Sequence, residues 1–436
     1  MERAIEMKYS SDLKASQHDP KRLEDLYQAA RLANEEHEFA ADMETCYRES
    51  PDSVLLAAWH YRLLTIPKEF RAVNWKLAVP LGIAAGLIFA FLALSRFELA
   101  GKMPFIFLAW APIGACFIIA FLTVTARSAW KQAWPLMTGL VAAGVYVTLF
   151  TRLAARLPYQ TLMVLHLPVL AWAATGISIL GWKSDTQNRF AFMSKSIEVF
   201  VTGGVFVIIG GIFAGITIGL FEALGVRIPV ELQQSLVAGG GGIITVLTVA
   251  IVYDPNTSPL AQKFEQGLGR LVPIMMRLLL PATLLVLAVY LVTIPFNFMQ
   301  PFNNREILII YNVMLFAVMG LLLGVTPVRG ADLAEKHHGT LRAGILAVAL
   351  LTIVVSVYAL SATVYRTALG GFTMNRVTVI GWNAINIGLL IGLVYTQLKH
   401  GASAWIQSLQ SVFSAGAVAY TIWTIVLVVS IPWLFP

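Results

Sequence analysis

The stretch from Asp332 to His338 brings together residue types that bind metal ions. Asp332, Glu335, His337 and His338 lie close together, and carboxylates and imidazoles are common zinc ligands. A hydrophilic loop beside an apolar helix ordinarily contains the same residue types, however, so we interpret the stretch as a solvated loop. We therefore predict no metal site and no cofactor.

The familiar catalytic motifs are missing from the sequence. It has no H-E-x-x-H, no G-x-S-x-G and no P-loop. The acidic residues after position 74 are expected in loops or at the ends of apolar runs, as at Glu198 and Glu222. A proton-coupled carrier usually places an acidic side chain deep in a span, so the positions of these residues are not typical of such a carrier.

Because the familiar catalytic motifs are missing, we predict that the protein is not an enzyme.

Four arginines fall in connections that the topology below places on the external side: Arg227, Arg305, Arg366 and Arg376. Guanidinium groups pair with carboxylates and phosphates through two parallel hydrogen bonds. An outward vestibule rimmed by these arginines would therefore suit an anionic group. The simpler alternative, which the sequence alone favours, is that the arginines cap loops and pair with Glu222, Glu231 and Glu306.

A polar stripe follows one apolar run. Arg376, Asn383 and Asn386 fall within about 80° of one another on a helix. An unpaired amide at that depth is costly in hydrocarbon, so the asparagines are expected to face the protein interior. The favoured interpretation is hydrogen bonding between helices. The alternative is that the stripe, with Asn312 as a partner, lines a route from the arginines to the middle of the bilayer.

Glycines interrupt two other apolar runs. Gly203-Gly204, Gly211, Gly215 and Gly219 recur on one helical face, and this pattern predicts a close helix crossing. Gly239-Gly240-Gly241-Gly242 should either be unwound, as in a re-entrant segment, or cross another helix tightly, and we favour the crossing. His166 precedes Leu167-Pro168 and is expected to satisfy a backbone carbonyl.

The composition explains where these side chains are held. Of 436 residues, 58% are hydrophobic and 13% are charged, which excludes a soluble fold. Apolar runs of about 20 residues, each long enough to cross a bilayer as a helix, recur along the chain. We predict an all-α polytopic membrane protein with about eleven transmembrane helices. The predicted spans are 75–95, 103–125, 134–153, 160–182, 198–222, 234–253, 272–296, 306–326, 341–363, 375–397 and 410–433.

Residues 1–72 are predicted to form a small helical head, and residues 73–436 the transmembrane domain. The head reads as two or three short amphipathic helices, which bury little apolar surface alone. We therefore expect it to pack on the membrane domain or on a cytosolic protein partner.

The positive charges set the predicted orientation. With the head inside, about 23 Lys and Arg fall on the cytosolic side and about 8 on the other. The N-terminus is therefore predicted to be cytosolic and the C-terminus external. The net charge of +7 is expected to contact membrane lipids, not nucleic acid.

The segment Gly371-Phe372-Thr373-Met374-Asn375-Arg376, followed by Gly381-Trp382-Asn383, resembles a G-L-T-x-x-R motif with a tryptophan shortly after it. That motif occurs in a family of bacterial inner-membrane proteins catalogued as a domain of unknown function, with the digits four-one-five-three. The likeness extends to Tyr253-Asp254-Pro255 and Ile294-Pro295-Phe296-Asn297, over about the last 240 residues. It implies a bacterial inner-membrane protein, and it carries over no functional residue.

Two functions fit these observations. The leading one is transport or translocation of a small anionic or lipid-like solute through the helical bundle. Its rival is a membrane scaffold or sensor that transports nothing and whose head binds a partner. The sequence indicates neither the substrate nor its direction, a coupling ion or the oligomeric state.

Overall fold

The computed structural model describes residues 8–32, 35–64, 73–94, 103–154, 157–264 and 267–435, which form an all-α fold as predicted. Two compact units make up the chain, Met1–Val73 and Asn74–Pro436. The helices of the described residues are α1 Ser10–Ala15, α2 Pro20–Leu32, α3 Glu36–Glu49, α4 Val54–Leu64, α5 Trp75–Leu92, α6 Ile106–Thr125, α7 Trp130–Ala154, α8 Leu157–Leu180, α9 Thr186–Ala223, α10 Val230–Val252, α11 Leu268–Thr293, α12 Gln300–Asn303, α13 Arg305–Val325, α14 Glu335–Gly370, α15 Met374–His400 and α16 Trp405–Leu434.

The first unit has a hydrophobic core of its own. Helices α1 to α4 bury nine apolar side chains, with Phe39 at the centre of edge-to-face contacts with Tyr9 and Trp59. The sequence predicted two or three helices that bury little alone. The described residues of the head form four helices, because Ser10–Ala15 forms an additional short one. The head therefore has a hydrophobic core of its own, whereas Val54 and Tyr61 remain exposed.

Eleven helices of the described residues are long and apolar enough to cross a membrane, which confirms the polytopic prediction. They are α5 to α11 and α13 to α16. Many of their large apolar side chains point outward, including Phe200, Phe213 and Leu278. Water would penalise this exposure, whereas lipid does not.

Helix α9 is longer than the sequence predicted. It begins at Thr186, where the Asp185 carboxylate accepts a hydrogen bond from the Asn188 backbone N–H at 2.8 Å. The predicted span began only at residue 198, where the continuous apolar run starts. The helix extends twelve residues further because its polar side chains there find partners inside the protein.

Helices α5 and α10 cross with their backbones in near contact. A Cβ at Gly242 would lie 2.8 Å from the Ala85 carbonyl oxygen, and a Cβ at Gly86 would lie 2.8 Å from the Gly239 carbonyl oxygen. The four consecutive glycines of α10 remain helical. The favoured sequence interpretation, a tight crossing, is confirmed, and the segment is not unwound.

The predicted close crossing along the glycines of α9 is wrong for Gly211, Gly215 and Gly219, whereas a Cβ at Gly203 would meet Thr248 of α10 at an ordinary contact distance of 3.7 Å. No heavy atom of the described residues lies within 4 Å of a Cβ built at Gly211, Gly215 or Gly219. The C-terminal half of α9 is exposed along most of its length. Glycine spacing permits a close approach but does not supply a neighbour.

Candidate functional site

Three of the predicted arginines line one cavity at the same end of the bundle. Arg305 opens α13, Arg366 lies in the last turns of α14, and Arg376 lies in the first turn of α15. Together they line a cavity of about 850 Å³, here called the arginine cavity. The short connection from Gly371 to Thr373 brings the second and third arginines together. None of the described residues that line the cavity is acidic, so its electrostatic potential favours an anion.

The arginines differ in how firmly they are held. Arg366 donates from Nη1 to the Phe302 carbonyl at 3.3 Å, and Arg376 donates from Nη1 to the Gly371 carbonyl at 2.6 Å. The side chain of Arg305 has no hydrogen-bond partner among the described residues. No ion pair of the described residues joins these three arginines to Glu222, Glu231 or Glu306. Arg366 and Arg376 therefore hold backbone carbonyls of α12 and of the connection after α14, and no carboxylate of the described residues forms an ion pair with any of the three arginines.

Asn312 lines the arginine cavity and also a second, largely apolar cavity. It lies about two turns along α13 from Arg305, and its side chain donates to the Leu308 carbonyl at 2.7 Å. The second cavity, here called the central cavity, measures about 940 Å³. Both cavities share five lining residues, which are Leu162, Leu165, Ile309, Asn312 and Val379. The two cavities therefore adjoin.

His166 forms part of the wall of the central cavity. Its Nδ1 lies 2.6 Å from the Leu162 carbonyl, and its Nε2 accepts a hydrogen bond from the Trp382 indole N–H at 3.0 Å. An imidazole that donates from Nδ1 and accepts at Nε2 is neutral. The expectation that His166 satisfies a backbone carbonyl is confirmed. Both of its nitrogens are occupied, so it fixes Trp382 in place.

The cavities follow α8 through most of the bundle. Pro158 lines the arginine cavity and Ile179 lines the central cavity, and about 30 Å of helix axis separates them. This is the thickness of a bilayer hydrocarbon core. At the end opposite the arginines, called the far end, a third cavity of about 390 Å³ shares Leu122, Ile179 and Tyr253 with the central cavity. Polar residues including Lys183 and Asp185 line this third cavity.

The central cavity also opens sideways. Leu165, Phe200 and Val313 line it and are 62%, 83% and 65% exposed. Such apolar side chains on the outer surface of a transmembrane bundle face lipid. The central cavity is therefore open on the apolar outer surface of the bundle.

Three predicted site residues lie elsewhere. Arg227 is exposed in the connection between α9 and α10 and does not line the arginine cavity. Asn383 and Asn386 are buried in α15 and line neither cavity. Asn386 accepts a hydrogen bond from the Tyr420 hydroxyl, and Tyr420 lines the central cavity. The Nδ2 atoms of both asparagines have no partner among the described residues.

A buried ion pair was not expected from the sequence. The Lys195 ammonium donates to Glu198 Oε2 at 2.7 Å, and the side chains are 4% and 11% exposed. Sequence reasoning placed Glu198 at a span end, because the apolar run begins there. Lysine and glutamate three residues apart beside a long apolar run are the signal that could have indicated the pair.

The histidine and acidic residues near position 335 hold structural contacts. The Trp405 indole N–H donates to His338 Nδ1 at 3.4 Å, and His338 Nε2 lies 3.1 Å from the Leu333 carbonyl. Asp332 accepts from the Arg329 backbone N–H at 2.8 Å. Among the described residues, no three His, Cys, Asp or Glu side chains are grouped so that they could hold a metal ion.

Comparison with other proteins adds no assignment to this geometry. No protein family, curated protein or solved structure matches the chain. The likeness of the segment from Gly371 to Asn383 to a bacterial family of unknown function stays a prediction. Any functional conclusion therefore depends on the cavities and the residues that line them.

Proposed function

We propose that this integral membrane protein binds an amphipathic anion and moves it across or within the bilayer. The anionic group would bind at Arg305, Arg366 and Arg376, and the apolar part would occupy the central cavity. The substrate class is thus a lipid-like molecule with a carboxylate or phosphate and an alkyl chain. The adjoining arginine and central cavities, with Asn312 in the wall of both, carry this proposal.

Electrostatics would decide the affinity. Lipid tails are as apolar as a leucine-lined cavity, so an alkyl chain gains little by leaving the bilayer. A hydrogen bond to a charged group contributes about 1.5–3 kcal/mol when its partners are otherwise unpaired. Arg305, whose side chain has no described partner, is the arginine most available for this role. A neutral molecule of the same shape should therefore bind much more weakly.

The orientation is part of the proposal. In this proposal the arginine end lies outside a bacterial inner membrane, and the head lies in the cytosol. The excess of Lys and Arg in the connections of the far end agrees with this orientation. Reporter fusions test this placement. A periplasmic reporter should be inactive in the 327–334 connection and active after Pro436. The opposite pattern would reverse the orientation.

Binding can be measured with the protein in nanodiscs. The probe is a fluorescent long-chain fatty acid, and its primary amide serves as the neutral control. We expect Arg305→Gln to weaken binding of the acid by about tenfold and to leave binding of the amide unchanged. Arg227→Gln is the matched control, because Arg227 lies outside the cavity. A fluorescent lysophosphatidate, tested in parallel, distinguishes a phosphate from a carboxylate head.

Movement requires a second measurement in proteoliposomes. Transfer of the fluorescent fatty acid between leaflets should be faster with the wild-type protein than in protein-free vesicles, and Asn312→Leu should slow it. Equal affinity of the wild-type protein for acid and amide would contradict the proposed anion site. Binding without any acceleration would restrict the function to lipid binding.

A second candidate function is that of a scaffold or sensor. The observation that favours it is the separate core of the head, which gives a cytosolic partner a preformed surface. Deleting the head separates the two candidates. If the membrane domain carries the function, the protein without its head should still transfer the fatty acid in proteoliposomes. If the scaffold proposal is correct, the isolated head should bind its cytosolic partner in the absence of the membrane domain.

A further inference from the structure

The Lys195–Glu198 pair separates two cavities. Lys195 lines the central cavity, whereas Glu198 lines another cavity of about 480 Å³ near the far end, called the Glu198 cavity. Neither residue lines both. An ion pair that serves packing alone needs no cavity on either side, and buried ion pairs contribute little to stability compared with apolar packing.

The Lys195 ammonium has more hydrogen-bond donors than its contact with Glu198 uses. Its ammonium donates to Glu198 Oε2 at 2.7 Å and to the Lys263 carbonyl at 2.8 Å. An ammonium has three donors, so one hydrogen has no hydrogen-bond partner among the described residues. Lys195 is also the one lysine or arginine among the described residues that line the central cavity.

Glu198 has a second source of positive potential. Its carboxylate lies at the first turn of α11, where a Cβ at Gly269 would be 2.8 Å from Oε2, and a helix N-terminus stabilises negative charge. Arg277 lines the same Glu198 cavity, and its buried Nε has no hydrogen-bond partner among the described residues. If Lys195 paired with another anion, the Glu198 carboxylate would therefore still lie near other positive potential.

We propose that Lys195 is a second anion-binding site, which the head group of the amphipathic ligand occupies in exchange for Glu198. The ligand would then bind with its anionic group at either end of the central cavity: at Arg305, Arg366 and Arg376, or at Lys195. The exchange would pair Lys195 with the anionic group and leave Glu198 beside the N-terminus of α11, which reduces the cost of an unpaired buried ion. This inference rests on the proposed function and extends it to the far end.

The test uses the same fluorescent fatty acid, with the full-length protein in nanodiscs. Glu198→Gln removes the carboxylate that competes for Lys195, so we expect the acid to bind several-fold to tenfold more tightly. Lys195→Gln should not produce this gain. Glu222→Gln, an exposed glutamate near the other end of α9, is the matched control and should change nothing.

Two outcomes would support the inference and two would overturn it. The gain from Glu198→Gln should persist in the Arg305→Gln background, because the two sites are distinct. A charge exchange, Lys195→Glu with Glu198→Lys, should restore the melting temperature lost in the single variants but not binding at this site. Recovery of wild-type binding by that exchange, or weaker binding by Glu198→Gln, would overturn the inference. Neither outcome would affect the proposed function if Arg305→Gln still weakens binding.

Discussion

A β-carbon at position 242 of α10 would lie 2.8 Å from the Cα of Gly86 in α5, because the two helix backbones nearly touch where they cross. Even a methyl group cannot enter without separating the helices. We therefore expect Gly242→Ala to lower the melting temperature in detergent, since overpacking costs about 1–3 kcal/mol. Thermal unfolding of the purified protein measures the effect.

Neighbouring glycines provide the controls for this crossing. A Cβ at Gly241 meets no described atom within 4 Å, and alanine favours a helix over glycine by about 1 kcal/mol. Gly241→Ala should leave the melting temperature unchanged or raise it. Gly215→Leu should also be tolerated, because Gly215 faces open space. Equal losses at positions 241 and 242 would contradict the close crossing.

His166 and Trp382 form a second testable contact. His166→Leu leaves the buried Trp382 indole N–H without its acceptor, which costs about 1–3 kcal/mol. We expect a lower melting temperature and a changed near-ultraviolet circular dichroism signal from tryptophan. His337, which is exposed, supplies the control as His337→Gln. Unchanged stability of the His166 variant would mean that the hydrogen bond does not form.

The Gln397 side chain of α15 forms hydrogen bonds to both α14 and α16 near the far end. Its side chain accepts from Arg342 Nε at 3.1 Å and donates to the Trp405 carbonyl at 2.7 Å. Gln397→Ala should therefore loosen the connection between α15 and α16. We expect trypsin to cleave faster after Lys399, as measured by mass spectrometry. Gln407→Ala, at an exposed position of α16, should leave the cleavage rate as it is.

Asp185 makes the start of α9 dependent on pH. Hydrogen bonds from the Asn188 side chain and backbone N–H lower the pKa of the Asp185 carboxyl below its usual value. The stabilisation is therefore present above the ordinary carboxyl pKa of about 4 and is lost as the pH falls through the lowered value. Asp185→Ala should lose about 1 kcal/mol at pH 7 and less near pH 3. Asp185→Asn should retain most of the cap, and a loss that is independent of pH would exclude this role.

The apolar runs sufficed to predict the number of spans, because each run must satisfy the thickness of the bilayer. They did not predict where α9 begins. A helix continues beyond its apolar run when polar side chains find partners in the protein, as Lys195 does with Glu198 and the Lys263 carbonyl. Those partners depend on tertiary packing, which a local pattern does not contain.

In the candidate site, too, some features follow from the local sequence and others depend on tertiary packing. Arg366 and Arg376 are close in sequence and flank a short connection, so their common position at one end could be predicted. That Arg305 and Asn312 line the same cavity depends on how α13 packs against α14 and α15 and on the position of α8 across the cavity. The glycine pattern of α9 misled for a related reason. A small side chain allows a neighbour to approach, and the rest of the fold decides whether one is there.

The sideways opening at Leu165, Phe200 and Val313 has a practical consequence for purification. Detergent tails have the same chemistry as the proposed alkyl chain, and the central cavity is accessible to them from the belt that surrounds the bundle. If the proposed anion sites are correct, a detergent with an anionic head would compete for both ends of that cavity, whereas a nonionic one would compete for its middle alone. The apparent Kd of any amphiphile should therefore rise with detergent concentration, and more steeply for an anionic detergent than for a nonionic one of equal chain length.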